Sequence, residues 1–175
     1  MRCALTIAYN GTHFLGSQVQ KETANTIFGQ LEKALLKLGI NFRVIASGRT
    51  DKGVHATGQV CHIDLPPFWD NLVKLQKVLN EMLPPSIKII QAKQVDNDFH
   101  ARYSAKKRVY RYLIKNDDTN PFENDFITCL SNVDFQKIQE NIKLFIGEHD
   151  FKQFIKTGSD VSSTRRIIYK SFAYK

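Results

Sequence analysis

Residues 48–60 read Gly-Arg-Thr-Asp-Lys-Gly-Val-His-Ala-Thr-Gly-Gln-Val, and apolar runs lie on both sides of them. Two strands are predicted, over 41–47 before this stretch and over 59–65 at its end. Both ranges are rich in β-branched and other apolar side chains. Glycines near both ends of the stretch allow tight backbone geometry. We therefore predict that 48–58 is a loop joining two strands.

Two helices are predicted outside this pair of strands. Apolar residues recur at helical spacing after Thr26, a suitable N-cap, and the pattern stops at Gly39, a suitable residue just past a helix end. A second helical pattern follows Asp70, which is predicted as its cap. Pro84 and Pro85 end it, because proline cannot continue a helix.

Two more strands complete the first part of the chain. Residues 2–9 alternate apolar and less apolar side chains, and residues 86–95 follow the second helix. The resulting order is β-α-β-β-α-β, a ferredoxin-like unit in which two helices cover one face of an antiparallel sheet. Residues 1–95 are accordingly predicted to form a ferredoxin-like subdomain of the α+β class.

The remaining residues, 96–175, repeat part of that order. A strand is predicted over 107–115 and another over 163–174. The helix predicted between them carries four apolar residues at helical spacing: Phe135, Ile138, Ile142 and Phe145. This β-α-β order predicts an incomplete second α/β subdomain, a partial copy of the first.

The composition indicates a polyanionic partner. The formal net charge is +8 and the isoelectric point about 9.4, which favours nucleic acid or an anionic membrane surface. No stretch approaches the roughly 20 apolar residues of a membrane span. The three cysteines are odd in number and lack CxxC spacing, so a disulfide framework is not expected and a reducing cytoplasm is the simplest compartment.

Arg49 and Asp51 are candidate site residues in the 48–58 loop. A guanidinium two residues from a carboxylate can hold it ionised and oriented. The alternative is that Asp51-Lys52-Gly53 is an ordinary turn and Arg49 a solvated charge.

Residues 99–112 interleave basic and aromatic side chains. On a strand over 107–115, Arg108, Tyr110 and Tyr112 would share one face. Cations that meet phosphates beside rings that stack on bases are typical of single-stranded RNA binding. The alternative is a half-buried strand with an exposed basic edge.

The five histidines do not form a recognisable metal motif. HxH and HExxH pairs are absent from the sequence. His62 follows Cys61, and neighbouring strand residues point to opposite faces, so these two side chains are poorly placed to chelate one ion. A metal site formed by residues distant in the sequence stays open as an alternative, and structural or hydrogen-bonding histidines are the favoured interpretation.

The loop sequence resembles the catalytic signature of the tRNA pseudouridine synthase A family, and other family landmarks follow in the right order across nearly the whole chain. The matching segments are Tyr9-Asn10-Gly11-Thr12-x-Phe14-x-Gly16-x-Gln18, Gly48-Arg49-Thr50-Asp51-x-Gly53-Val54-His55-Ala56-x-Gly58-Gln59-Val60, Leu79-Asn80 with Leu83-Pro84, Asp98-Phe99-His100-Ala101-Arg102, Arg108-x-Tyr110-Arg111-Tyr112 and Gly147-x-His149-Asp150-Phe151-x-x-Phe154 with Arg165.

The chain departs from the family pattern in a few places. Asn10 stands where Asp is usual, Ser17 where Trp is common, and Lys52 where Ala is frequent. Family members also run past residue 175, complete the second β-α-β-β-α-β unit and carry an active-site arginine there. The resemblance therefore implies the pseudouridine synthase fold with an incomplete second half, and poor turnover by this chain alone is expected.

The resemblance implies isomerisation of uridine to pseudouridine in the anticodon arm of tRNA, by a cytoplasmic homodimer without a cofactor or metal. Asp51 would be the nucleophile, acting on the base, on the ribose or by removing a ribose proton. Arg49 would orient Asp51, and Tyr110 would stack on the uracil. Seven cations would bind phosphates: Arg102, Lys106, Lys107, Arg108, Arg111, Arg165 and Arg166.

Two other functions compete with this one. A non-catalytic RNA-binding module would bind tRNA without turnover. A metal-dependent hydrolase built on Asp51, His55 and His62 would lose activity in a chelator.

Overall fold

The computed structural model describes residues 1–155 and 163–175. It divides into two compact units, Met1–Arg111 and Tyr112–Lys175. The sequence pattern places a boundary after residue 95; in the structure, the segment that follows the last strand of the first sheet packs with the first unit as far as Arg111. The division into functional subdomains 1–95 and 96–175 stays a prediction.

The first unit contains four strands and two helices in the order β-α-β-β-α-β, as predicted. Their bounds are β1 Arg2–Tyr9, α1 Ile27–Lys37, β2 Ile45–Ala46, β3 Ala56–Asp64, α2 Leu72–Met82 and β4 Ile87–Gln94. The strands form one sheet in the order β2-β3-β1-β4. Every neighbouring pair is antiparallel.

One predicted strand is much shorter than expected. The pattern over 41–47 predicts a strand, and only Ile45 and Ala46 pair with β3. The backbone N–H of Val44 instead donates to the Glu32 carboxylate of α1 at 2.8 Å. A side-chain acceptor thus takes the donor that a sheet ladder would have used.

The helix ends confirm most of the predicted caps. Thr26 caps α1, with its hydroxyl accepting from the Gly29 N–H at 3.1 Å. Gly39 follows the helix with φ of 74°, a left-handed conformation that favours glycine. The prediction of Asp70 as the cap of α2 is wrong by one residue, because Asn71 accepts from the Lys74 N–H.

The core lies between the sheet and the two helices. Cys3, Leu5 and Ile7 alternate along β1 and are fully buried, which confirms the predicted inward face. Leu31 and Leu35 of α1 are fully buried against the same layer. Burial of side chains of this size stabilises a fold by roughly 1.5–3 kcal/mol each.

The second unit contains short elements. They are β5 Ile114–Lys115, β6 Thr128–Cys129, α3 Phe135–Asn141, β7 Gly147–Asp150 and β8 Arg165–Ile168. β5 pairs in parallel with β6, and β7 pairs antiparallel with β8. Among the described residues of this unit, no side chain is buried.

Three predictions for 96–175 need correction. The strand over 107–115 is wrong for most of its length, because only Ile114 and Lys115 pair with another strand. The helix ends at Asn141 and continues as a 3₁₀ turn to Phe145. The last predicted strand, over 163–174, is reduced to Arg165–Ile168, since β7 offers only four residues as partners.

No helix within residues 1–155 and 163–175 has the length and apolar character that a membrane crossing requires.

Candidate active site

The loop between β2 and β3 carries the candidate nucleophile, and Thr50 fixes its backbone. The Thr50 N–H donates to the Ser17 hydroxyl at 2.8 Å, and the Thr50 carbonyl accepts from the Ser17 N–H at 3.0 Å. Ser17 is fully buried. The residue before Asp51 is therefore held from both sides by a single partner in the preceding loop.

A buried tyrosine holds the Thr50 side chain. The Tyr9 hydroxyl donates to Gln59 Oε1 at 2.6 Å and lies 2.9 Å from the Thr50 hydroxyl. Because a phenol has one proton and a carbonyl oxygen can only accept, the Thr50 hydroxyl must donate to Tyr9. Burial raises the pKa of Tyr9 above its usual value, and the hydrogen bond with Thr50 acts in the opposite direction.

Gln59 extends this network to the start of the loop. Its Nε2 donates to the Gly48 carbonyl at 2.5 Å, which also fixes which end of its amide faces Tyr9. Tyr9, Gln59 and Thr50 come from β1, β3 and the loop, so the sheet itself positions the loop. None of these side chains was singled out by chemistry, although Tyr9, Thr50 and Gln59 stand within the family-like motifs.

Two glycines allow the preceding loop to approach so closely. A side chain at Gly11 would overlap the Val54 carbonyl. Gly16 has φ of 103°, and a Cβ there would lie 3.0 Å from the Thr50 carbonyl oxygen. The Gly11 N–H also donates to His55 Nδ1 at 3.2 Å. The contact between the two loops thus needs glycine at both positions.

Asp51 lies at a turn and faces solvent. The Val54 N–H donates to the Asp51 carbonyl at 3.2 Å, and Gly53 takes φ of 80° within this turn. The Asp51 side chain is exposed. The exposed Asp51 carboxylate therefore directly follows Thr50, whose backbone is held by hydrogen bonds to Ser17.

Arg49 and Tyr110 are the other two residues predicted to act with Asp51. The ion pairs among the described residues do not include one between Arg49 and Asp51. The prediction that the Arg49 guanidinium pairs with the Asp51 carboxylate is therefore wrong for this structure. Tyr110 is 71% exposed and lies outside any strand. The functional roles of both residues stay predictions.

Arg108 makes a contact that the sequence did not indicate. Its Nε and Nη2 donate to the Ser47 carbonyl at 3.1 and 2.5 Å, and Nη2 also reaches the Arg102 carbonyl at 3.4 Å. Ser47 directly precedes the 48–58 loop. This predicted phosphate ligand is therefore engaged with the backbone next to the candidate nucleophile.

The other predicted cations of this segment point to solvent. Arg102, Lys106, Lys107 and Arg111 are all exposed. The Arg102 guanidinium lies 5.9 Å from the centre of the Tyr103 ring, which is itself 78% exposed. Exposed cations beside exposed rings are suited to phosphates and bases.

Residues 97–101 precede these cations and form hydrogen bonds with side chains of β1 and β3. Arg2 donates to the carbonyls of Asn97 and Phe99 at 2.6 and 3.0 Å while it pairs with both oxygens of Asp64. This guanidinium holds the pKa of Asp64 below its usual range. His62, 1% exposed, accepts the Ala101 N–H at 3.2 Å.

His62 is buried beside Arg2 and His100, and its Nδ1 accepts a hydrogen bond from the backbone. Burial lowers its pKa, and the neighbouring charges of Arg2 and His100 lower it further. Its ring lies 5.1 Å from the His100 ring. A neutral Nδ1 can accept the Ala101 N–H, so His62 serves as an anchor for the 97–104 segment and is not exposed to a substrate.

Arg165 and Arg166 belong to the second unit. Arg165 lies 3.5 Å from the Glu148 carboxylate, and Arg166 donates to the carbonyls of Ser163 and Arg165. Both side chains are exposed on β8. The structure leaves their predicted phosphate contacts untested.

Nothing in the described parts of the chain groups three metal-ligating side chains. His55 and His62 each use Nδ1 as the acceptor for a backbone N–H, of Gly11 and Ala101 respectively. Residues 1–155 and 163–175 therefore contain no cluster of metal ligands that would support the metal-dependent hydrolase.

Comparison with known proteins decides the family. Residues 5–104 match the family described as tRNA pseudouridine synthase. This chain belongs to the tRNA pseudouridine synthase family. The match covers the first sheet from Leu5 of β1 onwards and the 48–58 loop, so the contacts of Tyr9, Ser17, Thr50 and Gln59 lie in the part of the chain that the family pattern describes.

Curated relatives extend the similarity along the whole chain. A protein from Maridesulfovibrio salexigens named "tRNA pseudouridine synthase A" is 40% identical over 99% of this chain and 64% of its own length. Proteins of the same name from Helicobacter pylori strain 26695 and Helicobacter acinonychis are each 41% identical over 100% of this chain. The chain spans 71% of the length of each of these two relatives.

Proposed function

We propose that this chain isomerises uridine to pseudouridine in tRNA, with Asp51 as the nucleophile. One observation carries the proposal: in a member of this family, Thr50 is anchored through its N–H, carbonyl and hydroxyl, while the adjacent Asp51 carboxylate is left open to solvent. An immobile backbone beside a reactive group keeps that group in one place before substrate binds.

The proposed reaction needs only groups that the chain supplies. The bond between uracil N1 and ribose C1′ breaks, the uracil turns, and a bond forms between C5 and C1′. The hydrogen at C5 leaves as a proton and N1 gains one, so no oxidant, reductant or cofactor is consumed. A carboxylate can attack carbon or assist this proton transfer, and all three routes considered for Asp51 start from the same position.

Positive charge supports an RNA substrate. Arg102, Lys106, Lys107 and Arg111 are exposed along one segment that also carries Tyr110. Phosphate contacts supply most of the affinity for a nucleic acid, and an exposed ring can stack on a base that has been turned out of its helix. We propose the anticodon arm as the target, with Arg49 helping to hold the turned-out nucleotide.

The architecture proposed for this function is the pseudouridine synthase fold. Residues 1–95 would be its ferredoxin-like subdomain with loop 48–58 as the catalytic loop, and 96–175 part of a second copy. The observed element order and the strand order β2-β3-β1-β4 support the first of these assignments. A cytoplasmic homodimer is proposed on the same family basis.

A tritium-release assay tests the function. Unmodified tRNA labelled with tritium at uridine C5 is incubated with the chain, and tritium in water is measured with and without a chelator. We expect release in proportion to pseudouridine formed, at a lower rate than that of the H. pylori relative, and no effect of the chelator. The H. pylori relative on the same tRNA serves as the positive control.

Each failure of this assay has a separate meaning. Binding of tRNA without release, while the relative releases tritium, would replace the proposal by the non-catalytic RNA-binding module. Strand cleavage that stops in chelator and returns with zinc or magnesium would favour the hydrolase, provided that the tRNA stays folded.

A further inference from the structure

Arg108 occupies an unusual position for a cation in a basic segment. Its Nε and Nη2 converge on one acceptor, the Ser47 carbonyl, at 3.1 and 2.5 Å. These two nitrogens form one of the edges through which a guanidinium binds a phosphate in a bidentate manner. In this structure the backbone occupies that edge.

The acceptor lies at the start of the catalytic loop. The Ser47 N–H donates to the Val60 carbonyl at 2.8 Å and so continues the sheet. The Ser47 carbonyl receives Arg108, the Gly48 carbonyl receives Gln59 at 2.5 Å, and the Thr50 N–H is held by Ser17. We call residues 47–50, which lead from β2 into the loop, the first arm. The backbone of the first arm therefore forms hydrogen bonds with three side chains from three different segments.

Gly48 provides a second, independent sign of this contact. A Cβ at Gly48 would lie 3.4 Å from Arg108 Nε and 3.9 Å from its Cδ. The first of these distances is at the short limit for a Cβ contact. The Arg108 side chain thus lies directly against the backbone of the first arm, and a larger residue at position 48 would push it away.

From these contacts we propose that Arg108 is a positioning residue that ties the basic segment 102–112 to the first arm of the catalytic loop. This inference rests on the proposed function. Tyr110 follows Arg108 by two residues, and Asp51 follows the first arm directly. The guanidinium therefore fixes the attachment points of the candidate stacking ring and of the candidate nucleophile relative to each other.

The alternative role for Arg108 is a phosphate contact, and the two roles predict different results for lysine. Lysine keeps the positive charge but has a single ammonium in place of the planar guanidinium, so it cannot reproduce the paired donation from Nε and Nη2 to one carbonyl. A phosphate contact tolerates lysine, whereas a positioning contact with this geometry does not. Arg43 offers a matched control, because it is an exposed arginine of the first unit that lies outside the 48–58 loop and outside the set of cations predicted to bind phosphate.

The experiment compares Arg108→Lys with Arg43→Lys in the full chain. Three quantities are measured: tRNA affinity, the single-turnover rate of C5 tritium release at saturating tRNA, and amide hydrogen exchange of residues 47–50. For Arg108→Lys we expect a rate at least 10-fold lower, an affinity within 3-fold of the parent, and faster exchange of the Thr50 amide. Arg43→Lys should leave the rate and the exchange unchanged.

The results separate this inference from the proposed function. An Arg108→Lys variant that binds tRNA more weakly but keeps the parent rate at saturation would make Arg108 a phosphate ligand and overturn the inference. Unchanged exchange at 47–50 would overturn it too. If the parent releases no tritium, the proposed function fails, and the exchange comparison alone still decides whether Arg108 holds the loop.

Discussion

Residues 1–111 and residues 112–175 use apolar side chains in different ways. In the first unit, α1 places Leu31 and Leu35 against the sheet with no exposed surface. In the second, the helical spacing of apolar residues ends at Phe145, which is 44% exposed, and the neighbouring Leu144 is 71% exposed. Both units contain amphipathic segments, and only the first has a layer that covers them.

This difference shows that an apolar pattern predicts a face and does not predict what covers it. The first unit has four paired strands, and their inner face accepts two helices. The second has two pairs of short strands, and none of its described side chains is buried. Stability in the first unit should therefore depend on single core residues, whereas in the second it should not.

The largest effect is expected from one substitution made in both units. Leu35→Ala removes a fully buried side chain and should lower the free energy of unfolding of the first unit by about 2–5 kcal/mol. Leu144→Ala removes an exposed side chain and should change the free energy of unfolding of the second unit by less than about 0.5 kcal/mol. Urea unfolding is monitored by Trp69, the single tryptophan, for the first unit and by amide hydrogen exchange of residues 112–155 for the second. Equal losses in the two variants would show that the units do not differ as described.

A smaller effect is expected from removing a hydroxyl. Tyr9→Phe leaves Gln59 Oε1 and the Thr50 hydroxyl without their shared partner, which should cost about 1–3 kcal/mol. Tyr174→Phe is the control, since this ring is 65% exposed and contacts Phe172 through its face. Tyr9→Phe should also slow tritium release at saturating tRNA. A Tyr9→Phe variant as stable and active as Tyr174→Phe would remove Tyr9 from the account of the loop.

The sequence predicted the first unit well because its elements carry strong, local signals. Alternation marked β1, and Thr26 and Gly39 marked the ends of α1. The 41–47 strand was wrong over most of its length because Glu32, a distant side chain, takes the Val44 N–H. The 107–115 strand was wrong because alternation of basic and aromatic residues also arises in an exposed segment without a pairing partner.

The candidate site was predicted only in part. Asp51 was found from its loop motif. Thr50 is held by Tyr9 from 41 residues away, and Ser47 by Arg108 from 61 residues away. Such contacts depend on the sheet that brings the segments together, and no spacing rule along the chain contains them. For this reason the sequence assigned Arg108 to phosphate and missed its contact with the loop.

The measurement that tests the central claim most directly is single-turnover tritium release by Asp51→Ala beside Lys52→Ala. Both side chains are exposed in the same loop, so neither change should alter stability by more than about 0.5 kcal/mol. Asp51→Ala should lose at least about 100-fold in rate and keep tRNA affinity within about 3-fold, because phosphate contacts dominate affinity. Lys52→Ala should keep most of its rate. Release by Asp51→Ala above about a hundredth of the parent rate would contradict its role as the nucleophile.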